Sequence, residues 1–388
     1  MSPFISRVVL KNYKSIKQCD ISLKSFCLLV GPNGSGKSNF LDAMRFVRDA
    51  LQTNLQNAIQ ERGGIDEVRR RSTGHPTHFG IRLEFSIDTF NFTYAFQIAA
   101  RKNGAFEVQR ELCKVERDFQ LFSSFDRQDD VVISRDNRLS LIPAAPNALL
   151  LPLLAGFPGY SAAVENLTAM SFYSFSPAEV RKLQNPDVGL HLFENGANIG
   201  SVVREMMDST PKILERVESY LASVVPGIHT VRYRQYGPQS TIEFGQDVKG
   251  SSGLWKFPAA SVSDGTLRAL CVLIAAFQQH SPLITIEEPE TAIHPGAARR
   301  LMDALLEAGE HHQLILTTHS PDLLDHPDLD GTHIIAVQSQ RGATEMGPLD
   351  HASREAVRKN LYSVGELLRL EQITPDLFSS SETSVRLF

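Results

Sequence analysis

No run of this 388-residue chain approaches the roughly 20 apolar residues a helix needs to cross a bilayer, so no transmembrane span is expected. The opening "MSPFISRVVLKNYKS" has a polar residue every few positions and no cleavage-site pattern. That argues against a signal peptide and for a cytoplasmic protein with no membrane partner. Cysteine is scarce: Cys19, Cys27, Cys113 and Cys271 include no CxxC pair, and two of them sit in apolar runs. Buried, reduced thiols are therefore expected rather than a disulfide framework. Repeats, low-complexity tracts and long heptad stretches are missing, which argues against a coiled-coil rod. An excess of positive charge is missing too. With a net charge of −5 the chain has no global field for polyanions, although a local basic groove is still allowed.

What remains is an ordinary globular composition, 42% hydrophobic and 21% charged, long enough for one large domain or two modest ones. "FISRVVLKNY" and "CDISL" show partial alternation, and "FCLLV" is a fully apolar strand of the kind covered on both faces. "FGIRLEFSI", "FNFTYAFQIA" and "AFEVQREL" read as antiparallel strands. Residues 117–160 carry Pro143, Pro146, Pro152 and Pro158 and read as a loop-rich insert. Further on, "ILERVESYLASVV" is an amphipathic helix, with strands expected at "TVRYRQY" and "STIEFG". "PLITIEEP", "GAARRLMDALLEAG", "HQLILTTHS" and "THIIAVQ" alternate strand and helix, which argues for a parallel sheet. The expected organisation is an N-terminal lobe over 1–175, a short arm over 176–258, a C-terminal lobe over 259–375 and a flexible tail over 376–388.

Four stretches carry chemistry. "GPNGSGKS", Gly31 to Ser38, matches the phosphate-loop pattern G-x-x-x-x-G-K-[ST] once, between an apolar strand and a helical pattern. Gly31, Gly34 and Gly36 let the backbone curl N–H groups toward phosphate oxygens, Lys37 adds a point charge, and Ser38 offers a hydroxyl to Mg²⁺. "LITIEEPE" delivers Glu287 and Glu288 at the end of an apolar strand. Alternation turns them different ways, so Glu287 suits the Mg²⁺ shell and Glu288 suits the base that deprotonates an attacking water. "LILTTHS" ends a neighbouring strand in His319, a candidate sensor of the γ-phosphate. "SVSDGT" reads as a helix start, with Ser263 or Asp264 as cap and Gly265 permitting close approach to an anion.

In this order the four stretches resemble the ABC-type ATPase heads of the SMC and RecF-like group, and in particular the stand-alone ATPases called AAA-ATPase-like or OLD-like. "GPNGSGKSN" matches Walker A, "SVSDGT" the signature, "ITIEEPE" Walker B, "TAIHP" the D-loop and "TTHS" the switch. The resemblance covers most of the chain. It implies an α/β P-loop NTPase fold of ABC-ATPase-head type, with a mixed, partly parallel core sheet, an antiparallel β subdomain and a short helical arm. It implies ATP and Mg²⁺ as cofactors, with Asn33, Gly34, Ser35, Gly36, Lys37, Ser38 and Asn39 cradling the nucleotide. Ser38 and Glu287 would hold the metal, and Glu288 and His319 would be catalytic. The resemblance further implies that Ser263 and Gly265 act in trans, on ATP held by a second copy in a head-to-tail homodimer. Lys14 in "NYKS" falls where related heads place a basic residue near the nucleotide.

Three departures stand out. The usual Walker B aspartate is Glu287. No glutamine marks the Q-loop, where "YSFSPAEVRKL" offers Ser176 or Glu179. No coiled coil is inserted. No acidic nuclease module follows His319, so the expected outputs are a separately encoded effector, such as a nuclease or toxin in anti-phage defence or DNA repair, and nucleic acid. Assemblies larger than the dimer are compatible with this reading. The rival readings are a transporter-type ATPase subunit, an ATP-dependent scaffold that does not hydrolyse, and a self-contained nuclease. The arginines at 69–71, 299–300, 232 and 234 could meet nucleic-acid phosphates, but solvated faces paired with acids such as Asp66 and Glu67 are the simpler reading.

Overall fold

Strands take up about half of the first 134 residues: β1 (Ile5–Tyr13), β2 (Ile16–Ser22), β3 (Phe26–Val30), β4 (His78–Ile87), β5 (Phe90–Ala100), β6 (Phe106–Arg117), β7 (Gln120–Gln128) and β8 (Val131–Ser134). The computed structural model describes residues 2–72, 76–129, 131–134, 145–250, 253–377 and 386–388. The chain forms two units. The first holds residues 1–170, 331–355 and 373–388, and the second holds 171–330 and 356–372.

In the first unit the strand order is β8-β7-β6-β5-β4-β1-β2-β16-β15-β3, completed by β15 (Ile334–Gln340) and β16 (Ala343–Pro348) from late in the chain. Two pairings are parallel, β15 with β3 and β16 with β2, while β1, β2 and β4 to β8 run antiparallel. All five residues of β3 are buried, as its uninterrupted apolar sequence predicts. Phe85 and Phe92 face each other across β4 and β5 with rings stacked at 4.9 Å, a cross-strand pair that pins the register.

The expected loop-rich insert over 117–160 is partly sheet. β7 and β8 extend the antiparallel ladder, and the turn between β6 and β7 places Asp118 and Phe119 at positive φ (50° and 62°). Buried polar residues hide this pattern in the sequence. Arg127 on β7 is only 1% exposed and donates to the carbonyls of Asp129, Ala148 and Ala145. Glu111 on β6 is also buried and accepts from the N–H groups of Leu150 and Leu151 and from the Tyr94 hydroxyl. Burial pushes the Glu111 carboxyl up from its ordinary value. These inward-pointing polar groups break the apolar alternation and tie the segment after residue 144 to the sheet. Pro143 lies outside the described residues, as do 378–385 of the expected flexible tail. The last three residues are not frayed: Leu387 is buried, and the Phe388 ring lies 4.3 Å from the Arg110 guanidinium.

In the second unit β9 (Ser171–Tyr173), β13 (Leu283–Glu287) and β14 (Gln313–Thr318) form a parallel sheet in the order β14-β13-β9. A separate antiparallel sheet contains β10 (Ile228–Tyr236), β11 (Gln239–Gln246) and β12 (Trp255–Pro258). The 176–258 segment, expected as an arm, contributes this small sheet and the helices Ile199–Ser209 and Pro211–Val224. The helix Asp264–Ala276 is buried at every residue from Ala269 to Ala276, an apolar run enclosed inside its unit.

Candidate functional site

The first unit presents the phosphate loop at the end of β3. Gly34 (φ 75°) and Gly36 (φ 107°) occupy left-handed conformations open to glycine at no steric cost. Gly36 leads into the 16-residue helix Lys37–Gln52 and offers no side-chain cap, so the positive end of the helix dipole lies at the loop. Asn33, Gly34 and Ser38 are exposed. The Ser35 hydroxyl is buried and has no hydrogen-bond partner among the described residues. The Lys37 ammonium donates to the loop's own carbonyls at Gly31 (2.7 Å) and Pro32 (3.1 Å). A helix N-terminus, positive-φ glycines and an orphaned hydroxyl fit a polyphosphate.

Sequence reading missed a brace beneath this loop. Thr344 on β16 donates to the Ser35 carbonyl (2.8 Å), and its hydroxyl lies 2.7 Å from that of Ser15. Asn39, expected at the nucleotide, donates instead to the Ser15 hydroxyl at 2.6 Å. A Cβ added at Gly36 would meet Thr344 Oγ1 at 2.0 Å. No local signal could have linked Thr344 to a loop more than 300 residues earlier. Thr344→Val keeps the shape but leaves the Ser35 carbonyl short of a donor, a loss of about 1–3 kcal/mol. ATP affinity should fall roughly tenfold with the fold intact. Unchanged affinity in a fluorescent-nucleotide titration would show that the brace does not set the loop.

Lys14 sits in the "NYKS" turn at positive φ (45°), and its ammonium is 2.5 Å from Asp42 on the helix that follows the phosphate loop. Asp42 also accepts from the Tyr13 hydroxyl (2.7 Å) and Arg62 (3.0 Å). Burial alone would push the Asp42 carboxyl up, but Arg62 and Lys14 outweigh it and hold it below its ordinary value. In this structure Lys14 is thus an anchor of that helix.

The second unit holds the carboxylates, the histidine and the signature stretch. Glu287 closes β13 in register with Thr317 of β14. Glu288 follows at positive φ (45°), an uncommon conformation for a residue with a Cβ, and its N–H donates to the Thr317 carbonyl at 3.1 Å. Its two carboxylate oxygens have separate partners: His319 Nδ1 is 3.2 Å from Oε1, and the Thr291 hydroxyl is 3.4 Å from Oε2. Glu288 and His319, far apart in sequence, thus form one half-exposed pair. Arg268, another residue sequence reading missed, donates to the carbonyls of Glu287 (3.3 Å), Glu288 (3.2 Å) and Phe175 (3.2 Å). Burial pulls its guanidinium below the usual arginine range.

Ser263 caps the helix Asp264–Ala276, its hydroxyl accepting from Thr266 N at 3.2 Å. A Cβ added at Gly265 would fall 2.2 Å from the Ala292 carbonyl, so this glycine packs the signature directly on the "TAIHP" turn of its own chain. Arg181 pairs with Asp264 and donates to the Val262 carbonyl. Glu179 is ion-paired with Lys182. The arginine clusters are largely engaged within their own units: Arg69 with Asp66, Arg71 with Glu67, Arg232 with Glu218, and Arg300 on the Ser223 carbonyl. Among the described residues no three His, Cys, Asp or Glu converge as a metal site, and no helix is long and apolar enough to cross a membrane.

A family model described as "AAA domain, putative AbiEii toxin, Type IV TA system" matches residues 26–145 and 183–325, about two thirds of the chain. Among curated proteins, the chromosome partition protein Smc of Methanocaldococcus jannaschii is 35% identical over 104 residues, 26% of this chain and 8% of that protein. The DNA replication and repair protein RecF of Vibrio campbellii is 46% identical over 41 residues, 10% of this chain and 12% of that protein. The matched stretches span about a tenth of the length of these relatives. Among solved structures, an Smc head bound to the C-terminal winged-helix domain of ScpA has a TM-score of 0.57 at 17% identity, covering 90% of this chain and 99% of the other. The Smc head domain of Pyrococcus furiosus, with an extended coiled coil, gives 0.51 at 14% identity, covering 92% and 99%. The fold is that of an Smc head domain.

Proposed function

The chain belongs to this AAA-domain family, and from that membership we propose that it is an ATP-driven switch that hydrolyses ATP and pairs with a second copy while ATP is bound. The Gly31–Ser38 loop takes the phosphates, with Lys37 on the outer ones. Ser38 and Glu287 are the residues we assign to Mg²⁺, which neutralises the developing phosphate charge when present. A magnesium ion keeps several waters and leans on phosphate oxygens, so it needs no preformed cluster of protein ligands. Glu288 takes the proton of the attacking water, and His319 orients Glu288 and senses the γ-phosphate. Ser263 and Gly265 close over ATP held by the partner copy.

The observation that carries this reading is the Glu288–His319 pair, a base with its own orienting partner at adjacent strand ends. The output we assign is a separately encoded effector, a nuclease or toxin in a defence or repair system, with nucleic acid as a further partner. Support for that step is the toxin–antitoxin wording of the family description and the repair and chromosome-partition roles named for the relatives. Purified protein should release phosphate from ATP, and Lys37→Ala should remove both release and nucleotide binding. Turnover indifferent to Lys37→Ala would sink the reading, because it would come from elsewhere.

A further inference from the structure

Glu290, three residues after Glu287, is the one carboxylate of "EEPE" without an assigned task, and it is the most enclosed: only 9% of it is exposed. The fully buried Thr318 hydroxyl donates to Glu290 Oε1 at 2.5 Å and accepts from Ser320 N at 3.0 Å. The Glu290 carbonyl accepts from Ile293 N at 3.0 Å. Glu290 therefore links the turn after β13 to the residues on both sides of His319. Its Oε2 is buried with no hydrogen-bond partner among the described residues. The charged groups acting on this carboxyl are Glu288, which opposes a negative charge, and His319, which favours one; Arg268 on the neighbouring helix interacts with it as well. A carboxylate here would set an unpaired charge in a buried position beside Glu288, which is far costlier than an unpaired neutral group.

We propose that Glu290 is a positioning residue that works as an uncharged hydrogen-bonding strut, holding Thr318 so that His319 stays against Glu288. The environment agrees: burial pushes the Glu290 carboxyl up, the Glu288 charge adds to this, and the Thr318 hydrogen bond and His319 only partly offset it. The two glutamates then divide the work, with Glu288 as the base and Glu290 as the neutral brace. This rests on the ATPase reading for its catalytic consequence, but the strut itself is a statement about His319 that can be read without ATP.

The test compares three substitutions in the full chain. Glu290→Gln mimics a neutral acid, keeps an acceptor for Thr318, and should hold kcat within about threefold of wild type. Glu290→Ala removes the strut and should lower kcat about a hundredfold with KM for ATP changed only a few-fold, the signature of a misplaced catalytic pair. Thr318→Val, which preserves shape and serves if Glu290→Ala folds poorly, should behave like Glu290→Ala. The imidazole NMR signals of His319, recorded without nucleotide, provide the independent readout. They should match wild type in Glu290→Gln and move toward those of a solvated histidine in the other two. A Glu290→Gln protein as inactive as Glu288→Gln would mean that the charge is needed, and would overturn the proposal. Unmoved His319 signals in both Glu290→Ala and Thr318→Val would overturn it as well, whether or not the protein hydrolyses ATP. Absence of turnover in wild type, with the His319 signals behaving as expected, would remove the ATPase reading and leave the strut.

Discussion

Glu288→Gln should abolish ATP turnover, leave ATP binding intact and hold the protein as a nucleotide-bound dimer. The amide has the shape of the carboxylate, and its oxygen can still accept from His319 at the position now 3.2 Å away. The backbone N–H bond to Thr317 and the Arg268 contact with the Glu288 carbonyl do not involve the side chain. What disappears is the proton acceptor, and a general base contributes about 10²–10⁴-fold to such a step. Phosphate release should therefore fall at least a hundredfold while a fluorescent ATP analogue binds as before. Light scattering with ATP should report twice the monomer mass. A variant that keeps more than about a tenth of the wild-type rate would place the base elsewhere. A variant that binds ATP yet remains monomeric would separate hydrolysis from dimerisation and remove the switch from the proposal.

The parts of this site legible in the sequence are those in which local chain chemistry is sufficient. A glycine-rich loop between an apolar strand and a helix can be read within eight residues, and the apolar strands that end in Glu287 and in Thr318 need only their own composition. The order of these stretches also led to the SMC-type head, which the fold bears out. The hidden parts depend on residues brought together from afar. Thr344 and Ser15 brace the phosphate loop from opposite ends of the chain, and Lys14 turned out to face Asp42. β7 is hard to read from sequence because Arg127, a residue type that normally marks a solvated face, points inward where carbonyls from a later loop receive it. Glu290 was visible as a letter, but its role depends on a hydroxyl from the next strand.

The second large effect concerns "SVSDGT", and it separates action in trans from action within one chain. Ser263 is exposed, so an arginine fits there in the single chain at the cost of the cap, about 1 kcal/mol. Gly265 is a poorer probe, since any side chain would strike the Ala292 carbonyl of its own chain. Ser263→Arg should bind ATP normally yet show no ATP-driven dimer and no turnover. Lys37→Ala should also be inactive, for want of ATP. In a two-fold head-to-tail dimer each site takes its phosphate loop from one copy and its signature from the other. A mixed dimer of the two dead variants then contains one site with both Lys37 and Ser263 intact, and one with neither. Random pairing of equal amounts makes half the dimers mixed, each with one working site of two, so activity should return to about a quarter of wild type. If Ser263 serves its own chain's ATP, every site in the mixture is damaged and activity stays at background. Recovery on mixing two inactive proteins therefore cannot arise from action in cis, and its failure, with both variants folded and Ser263→Arg still binding ATP, would return the stretch to an ordinary capped helix.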